Sequence, residues 1–249
     1  MKNNTYKLLT ENMGIDPKIM DLIGKSEEDI RDIFENLDDI MAFNQYKVLD
    51  AFQKNRISDS HFAWSTGYGY DDQGRDAIER VYSDIFKTEA ALVRPIIVNG
   101  THALTLTLTG ILRPGDELIY CTGAPYDTLE EVIGIRGEGK GSLAEYGITY
   151  KQVELKSNGF IDFDALGKAI NHKTKMITCQ RATGYGWRKA ITIEQIEEFT
   201  TFVKAINPNI ICMVDNCYGE FLDTKEPTEV GVDVLAGSLI KKYYRLAGY

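Results

Sequence analysis

The chain has 249 residues, 43% of them apolar, which is enough to build a sizeable core in one large domain or two. Its formal net charge of -9 excludes a general binder of nucleic acid or of anionic membrane, because phosphates are repelled outside local basic pockets, and it points to small-molecule partners. The N-terminus lacks an apolar leader core and no segment has the unbroken apolar length of a bilayer span, so the expectation is a cytoplasmic protein.

Apolar residues recur at three- and four-residue spacing between positions 26 and 57: Ile30, Ile33, Phe34, Leu37, Ile40 and Met41, then Val48, Leu49 and Phe52. This predicts one long helix or two in series, with Ser26 as N-cap and Glu27, Glu28 and Asp29 in the first turn. Residues 1–60 therefore read as an N-terminal helical arm, which either packs on a partner subunit or caps its own core. Residues 61–249 read as the main domain. It opens on a loop with three glycines and four aromatics (62–76, FAWSTGYGYDDQGRD) and a helix whose Ile78, Val81, Tyr82 and Ile85 share a face.

Strand and helix signals then alternate: ALVRPIIV, HALTLTLTGIL, ELIYCTG, TLEEVIG, ITYKQVEL, DFDALGKAI, KMITCQ, TIEQIEEFTTFVKAI, IICMVD and VDVLAGSLI. That order predicts an α/β fold, a mainly parallel sheet with helices on both faces and ligands at the C-terminal strand ends. The glycine-rich stretch 134–147 reads as a mobile loop near a crevice. Four cysteines, Cys121, Cys179, Cys212 and Cys217, show no C-x2-C spacing and read as reduced core thiols, Cys217 being the one beside polar residues. No metal site is expected: the three histidines lack ligand spacing, and the Asp38-Asp39 and Asp71-Asp72 pairs read as a helix face and a turn.

Four stretches carry candidate chemistry, each with a plainer alternative. Asn99-Gly100-Thr101-His102 ends an apolar run and opens a helix, which exposes free N–H groups to an anion such as phosphate; a simple N-cap at Thr101 is the alternative. Tyr126, after the ELIYCTG strand, can lay its ring over a flat ligand or into the core. Asp215 ends the apolar run ICMVD, where a carboxylate needs a cation, either a protonated heteroaromatic nitrogen or a Lys or Arg. Lys241, after Gly237-Ser238, is either a partly desolvated amine nucleophile or a solvated strand end.

Together TGYGYDDQGRD, NGTHAL, APYDTLEEVIG, QRATGYGWR, VDNCYGEF and AGSLIK closely resemble the methionine gamma-lyase-like or aluminium resistance proteins, fold-type I pyridoxal-phosphate enzymes related to the cystathionine lyases. The resemblance runs from about residue 62 to residue 241. It implies pyridoxal 5'-phosphate as cofactor, a seven-stranded type of sheet, Lys241 as Schiff-base lysine and proton acceptor, and Asp215 as partner of the pyridine nitrogen. It further implies Gly100, Thr101, His102 and Ser238 at the phosphate, Tyr126 over the ring, and Tyr70 (Tyr68 as the substitute) and Arg75 reaching the phosphate of a neighbouring subunit in a homodimer or homotetramer. The activity implied is carbon–sulfur elimination from a sulfur-containing amino acid; another pyridoxal-phosphate reaction, or cofactor binding without turnover in a stress response, are the alternatives. Arg181 and Arg188 are candidates for the substrate carboxylate or for structural pairing. The C-terminal domain of such enzymes is expected to be missing from the chain, since only KYYRLAGY follows Lys241.

Overall fold

A computed structural model of the chain describes residues 3–70 and 72–238; Lys241 lies outside them. In chain order the elements are α1 (Asn3–Lys7), a π-helical turn (Leu8–Asn12), α2 (Pro17–Asp29), α3 (Arg31–Lys54), a 3-10 turn (Asp59–Phe62), α4 (Gln73–Phe86), α5 (Gly100–Ile111), β1 (Glu117–Tyr120), α6 (Asp127–Ile133), β2 (Thr149–Gln152), α7 (Phe163–Ala169), β3 (Thr174–Gln180), α8 (Ile193–Ile206), β4 (Ile211–Asp215), a second 3-10 turn (Pro227–Val230) and β5 (Val234–Ala236). Contacts separate two compact units, the first ending at Tyr46 and the second starting at Lys47.

In the first unit two helices replace the single capped start expected at Ser26. Asp16 caps α2, its carboxylate accepting from Lys18 N at 2.8 Å with Pro17 in the first turn. Ser26 instead sits in the last turn of α2, where its carbonyl accepts from Ile30 N, and the break falls at Ile30. On α3 the apolar stripe is present, and Ile33, Phe34, Leu37 and Met41 are exposed.

The second unit is built on a five-stranded sheet, all parallel, in the order β2-β1-β3-β4-β5. Five strands among the described residues stand where the resemblance implies seven. Because side chains alternate across a strand, Ile119, Cys121, Ile177, Cys179, Cys212 and Val214 point to one face and pack under α7 and α8. Leu118, Tyr120, Met176 and Met213 point to the other, under α5 and α6. Covering both faces explains why the central strands are apolar without alternation. The helices start where the sequence supplies caps: Asn99 for α5, Asp162 for α7, and a Thr192–Gln195 capping box for α8.

Two expectations fail here for physical reasons. Residues 91–98 form no strand: Pro95 has no N–H to give a ladder, and Leu92, Ile96 and Val98 are exposed. The glycine-rich stretch 134–147 is tied down rather than loose. Leu143 is buried and its N–H bonds Val132 O, while Ser142 Oγ bonds Gly139 O. It also lies at the N-terminal strand edge, where Gly147 O accepts from Gly115 N just before β1, away from the ligand end.

Ile177 lies wholly buried on the central strand β3. Ile177→Ala is expected to lower stability by about 2–5 kcal/mol, read as a lower urea midpoint at unchanged slope.

Candidate functional site

The sheet order reverses between β1 and β3: α6 leads from β1 to β2 on one side, and the chain returns through α7 to β3 on the other. In open parallel sheets such a switch point opens a crevice beyond the C-terminal strand ends. The ends facing it here are Tyr120, Gln180, Asp215 and Ala236, and the loops that follow them carry most of the candidate residues.

The first wall is the N-terminus of α5. Its first-turn N–H groups lack intrahelical acceptors, and Asn99 Oδ1 takes that of His102 at 2.8 Å, which leaves those of Gly100 and Thr101 directed out of the helix end. Gly100 is there for space: a Cβ on it would stand 3.3 Å from Cys217 Sγ and 3.5 Å from Ser238 Cβ. Three chain segments, the start of α5 and the ends of β4 and β5, therefore converge within van der Waals contact. Thr101 Oγ1 bonds Thr128 Oγ1 at 2.8 Å and ties α5 to the first turn of α6. His102 is drawn away from the expected phosphate role. Its N–H is spent on Asn99, and its Nδ1 accepts from Val98 N at 3.4 Å. Cys217 is buried against Gly100 as packing.

Asp215 ends β4 on the α5 face, 5% exposed. Its Oδ1 accepts from Cys217 N at 3.0 Å and its carbonyl from Arg181 N at 3.0 Å, so both the strand end and the carboxylate are fixed. On the same face lie Tyr120 and Thr178, whose hydroxyls have no hydrogen-bond partner among the described residues, as has Gln180 Oε1. Burial, and after it the Asp215 charge, hold the Tyr120 phenol well above its usual range. Ser238, at the last described position, is held from behind: its N–H donates to Glu220 Oε1 at 3.0 Å, and Gly237 leaves room for that carboxylate.

Tyr126 is the N-cap residue of α6 and stands beside the α5 cradle. Its ring stacks on Tyr185, centroids 5.5 Å apart at 24°, and its hydroxyl donates to Tyr185 Oη at 3.0 Å. Tyr70 is exposed and stacks on Tyr68 at 6.5 Å, while the Arg75 guanidinium lies against Gly69 in the same loop.

The two arginines named as candidates for the substrate carboxylate or for structural pairing both bond to the protein's own loops. Arg181, 4% exposed, donates from Nε to Ile191 O, from Nη1 to Asn216 Oδ1 and Gly219 O, and pairs through Nη2 with Asp223. Asn216 in turn donates to Glu226 Oε2 at 3.4 Å, and Glu226 Oε1 accepts from Phe221 N at 2.8 Å. This buried chain staples the loop 216–226 directly after Asp215, and Gly219 is required because any Cβ would strike Asn216 and Arg181. Arg188 donates from Nη2 to Gln180 O and Ala182 O at 2.9 and 2.6 Å and clasps the loop after β3. The physical reason is burial: a guanidinium with five donors inside a loop satisfies carbonyls there. Sequence reasoning missed Tyr185, Thr128 and Glu220; Tyr185, an aromatic between two glycines after a strand, carries the same kind of signal as Tyr126.

Among the described residues no group of three or more potential metal ligands occurs and no helix is long and apolar enough to cross a membrane. The family profile described as Methionine gamma-lyase matches residues 19–244. The chain is 53% identical over 216 residues to the uncharacterized protein YnbB of Bacillus subtilis, covering 86% of this chain and 51% of that protein. It is similar to a Listeria innocua protein proposed to be a cystathionine beta-lyase involved in aluminum resistance, with 60% identity, TM-score 0.87, and coverage of 89% and 54%. A Clostridium novyi structure named as a carbon-sulfur lyase involved in aluminum resistance is 49% identical, with TM-score 0.89 and coverage of 96% and 57%. The chain thus spans about half the length of these relatives. At the level of fold alone it also matches a pyridoxal-5'-phosphate-dependent protein, YhfS of Escherichia coli, at 18% identity and TM-score 0.59.

Burial pushes the Glu226 carboxyl up, against the opposing pull of Phe221 N–H, Lys47 and Arg181. A carboxyl raised in the folded state adds stability that is complete below the unfolded value, about 4.3, and is lost as pH rises through the folded value. The stability of the parent protein relative to Glu226→Gln should therefore fall over that window and level off above it. Urea denaturation at stepped pH measures this.

Proposed function

The chain belongs to the methionine gamma-lyase family, and from that premise we propose that it binds pyridoxal 5'-phosphate and serves carbon–sulfur elimination from a sulfur-containing amino acid. The observation that carries the reading is the convergence, at the strand ends, of an open helix N-terminus at Gly100, the Ser238 hydroxyl and the buried Asp215. These residues fit the cofactor. Gly100 keeps clear the space a Cβ would fill, the first-turn N–H groups suit a phosphate, and an acid at the end of a covered strand suits a protonated ring nitrogen. The hydroxyls of Tyr120 and Thr178 and Gln180 Oε1 add polar atoms on the same side of the sheet or at its end.

Gly100 N–H, Thr101 N–H and the Ser238 hydroxyl would hold the phosphate, Asp215 would keep a proton on the pyridine nitrogen, and the Tyr126 ring would cover one face. When bound, the group supplies an electron sink for the carbanion formed at the substrate Cα. Lys241 carries the amine that attaches the cofactor and takes the Cα proton. Glu220, by fixing Ser238 N–H, sets the start of the segment that leads to Lys241. Arg181 is buried and spent on the loop it holds, so of the two arginines Arg188, half-buried and with Nε outside its bonds to Gln180, Ala182 and Lys189, is the one left to meet a substrate carboxylate. Tyr70 and Arg75 complete the phosphate site of a second copy, a reading supported by the exposure of the Tyr68–Tyr70 pair and of apolar residues on α3.

Borohydride reduction of the protein with added pyridoxal phosphate, followed by peptide mass analysis, tests the assignment. A pyridoxyl group on Lys241, absent from Lys241→Ala, is expected. In Asp215→Asn the label should persist while thiol and keto-acid release falls on the order of a hundredfold, the lower range for a misplaced catalytic proton. A protein that takes no label, or takes it on another lysine, refutes the reading.

The shared site has its own test. Mixing inactive Tyr70→Ala with inactive Lys241→Ala is expected to restore about a quarter of the parent rate, since half of the random dimers then carry one intact site. No recovery after verified subunit exchange places Tyr70 outside the partner's site.

A further inference from the structure

The loop after β3 is more strongly built than a connection requires. Arg188 Nη2 bridges Gln180 O and Ala182 O, Arg188 Nη1 bonds Lys189 O at 3.0 Å, Gln180 Nε2 bonds Ala182 O at 3.2 Å, and Gly186 N bonds Thr183 O at 3.1 Å. Inside this clasp Gly184 adopts φ +60, where a Cβ would stand 3.0 Å from Gln180 Nε2 and 3.9 Å from Tyr126 Cδ2. The clasp thus presents Tyr185 across the β1/β3 switch point to Tyr126, although Tyr185 is 82% exposed and has little other packing to gain from that position.

We propose that Tyr185 is the positioning residue for Tyr126: its ring braces the Tyr126 ring, its hydroxyl accepts the Tyr126 proton in a hydrogen bond, and together they set the orientation in which Tyr126 meets the ligand. This rests on the reading of Tyr126 as the residue that stacks on a planar phosphorylated ligand. Two parts of the geometry carry it. Ring stacking at 5.5 Å and 24° fixes the tilt of Tyr126, and the 3.0 Å hydroxyl contact fixes its rotation. The direction of the hydrogen bond matters as well. With the Tyr126 hydroxyl as donor to Tyr185 Oη the contact favours the neutral phenol, and this hydrogen bond, ahead of burial and of the charges of Tyr185, Asp127 and Tyr218, holds Tyr126 up at about 12. A neutral phenol beside a phosphate dianion avoids like-charge repulsion, and an oriented ring loses little entropy on stacking.

The test needs no turnover. In protein labelled at tyrosine Cζ with carbon-13, the Tyr126 signal is assigned by its loss in Tyr126→Phe and followed to pH 11. In the parent protein it should be about a tenth ionised at that pH; in Tyr185→Phe, which keeps the ring, more than about half, as the midpoint falls toward the ordinary tyrosine value near 10. Pyridoxal phosphate affinity, read by absorbance, should fall several-fold in Tyr185→Ala and less in Tyr185→Phe. An unchanged Tyr126 titration in Tyr185→Phe overturns the proposal even if pyridoxal phosphate binds normally, which would leave the cofactor reading standing. A shifted titration in a protein that does not bind pyridoxal phosphate supports the Tyr185–Tyr126 pairing and removes the ligand reading instead.

Discussion

The site depends on a carboxylate kept at the end of a buried strand. Asp215 sits where β4 leaves the sheet, its carboxylate accepting from Cys217 N–H and its carbonyl from Arg181 N–H. The segment that follows has to turn at once, because the α5 N-terminus occupies the space ahead, as the contact between Gly100 and Cys217 shows. That turn contains two non-glycine residues at positive φ, Tyr218 at 72° and Phe221 at 61°, a conformation that costs free energy unless its surroundings impose it. The buried chain Arg181–Asn216–Glu226 imposes it.

This makes two kinds of polar residue intelligible. Arg181, Asn216, Glu220 and Glu226 are buried and bonded to backbone or to each other, so their work is to hold the loop and the Gly237-Ser238 backbone. Thr178, Tyr120 and Gln180 Oε1 are buried with polar atoms unpartnered among the described residues, the condition expected of atoms that line a ligand site. Tyr126 and Tyr185 stand at the mouth, on loops from the two strands that flank the switch point. The staple and the site share the β4 end. Loosening the staple should therefore disturb the position of Asp215 before it disturbs the core.

Much of the architecture was legible because it rests on repeated local signals. Short apolar runs, with helix caps such as Asn99 and Asp162, mark β1, β3, β4 and the helices between them. The strand expected at 91–98 had the right composition, but Pro95 and the lack of a pairing strand among the described residues outweighed it. The Ser26 signature of a helix start was overridden because Asp16-Pro17 starts the helix earlier and the period continues through Ser26. Residue types and order placed Asp215 and Tyr126 at or just after strand ends and Gly100 and Thr101 at a helix start, where the structure has them. Arg181 could not be read in the same way: whether an arginine meets a ligand or the carbonyls of a loop 38 residues away depends on tertiary closure, which local sequence does not encode. The same holds for His102, whose N–H is claimed by the residue three before it.

The central claim is that the Asp215 carboxylate meets a protonated pyridine nitrogen. The most direct measurement is the nitrogen-15 chemical shift of ring-labelled pyridoxal phosphate bound to the protein, compared with the same ligand on Asp215→Asn. A protonated shift that persists above the pH at which the free cofactor loses this proton, and disappears in Asp215→Asn, is the predicted result. An unprotonated ring nitrogen in the parent protein, or one that is indifferent to Asp215, would contradict the account.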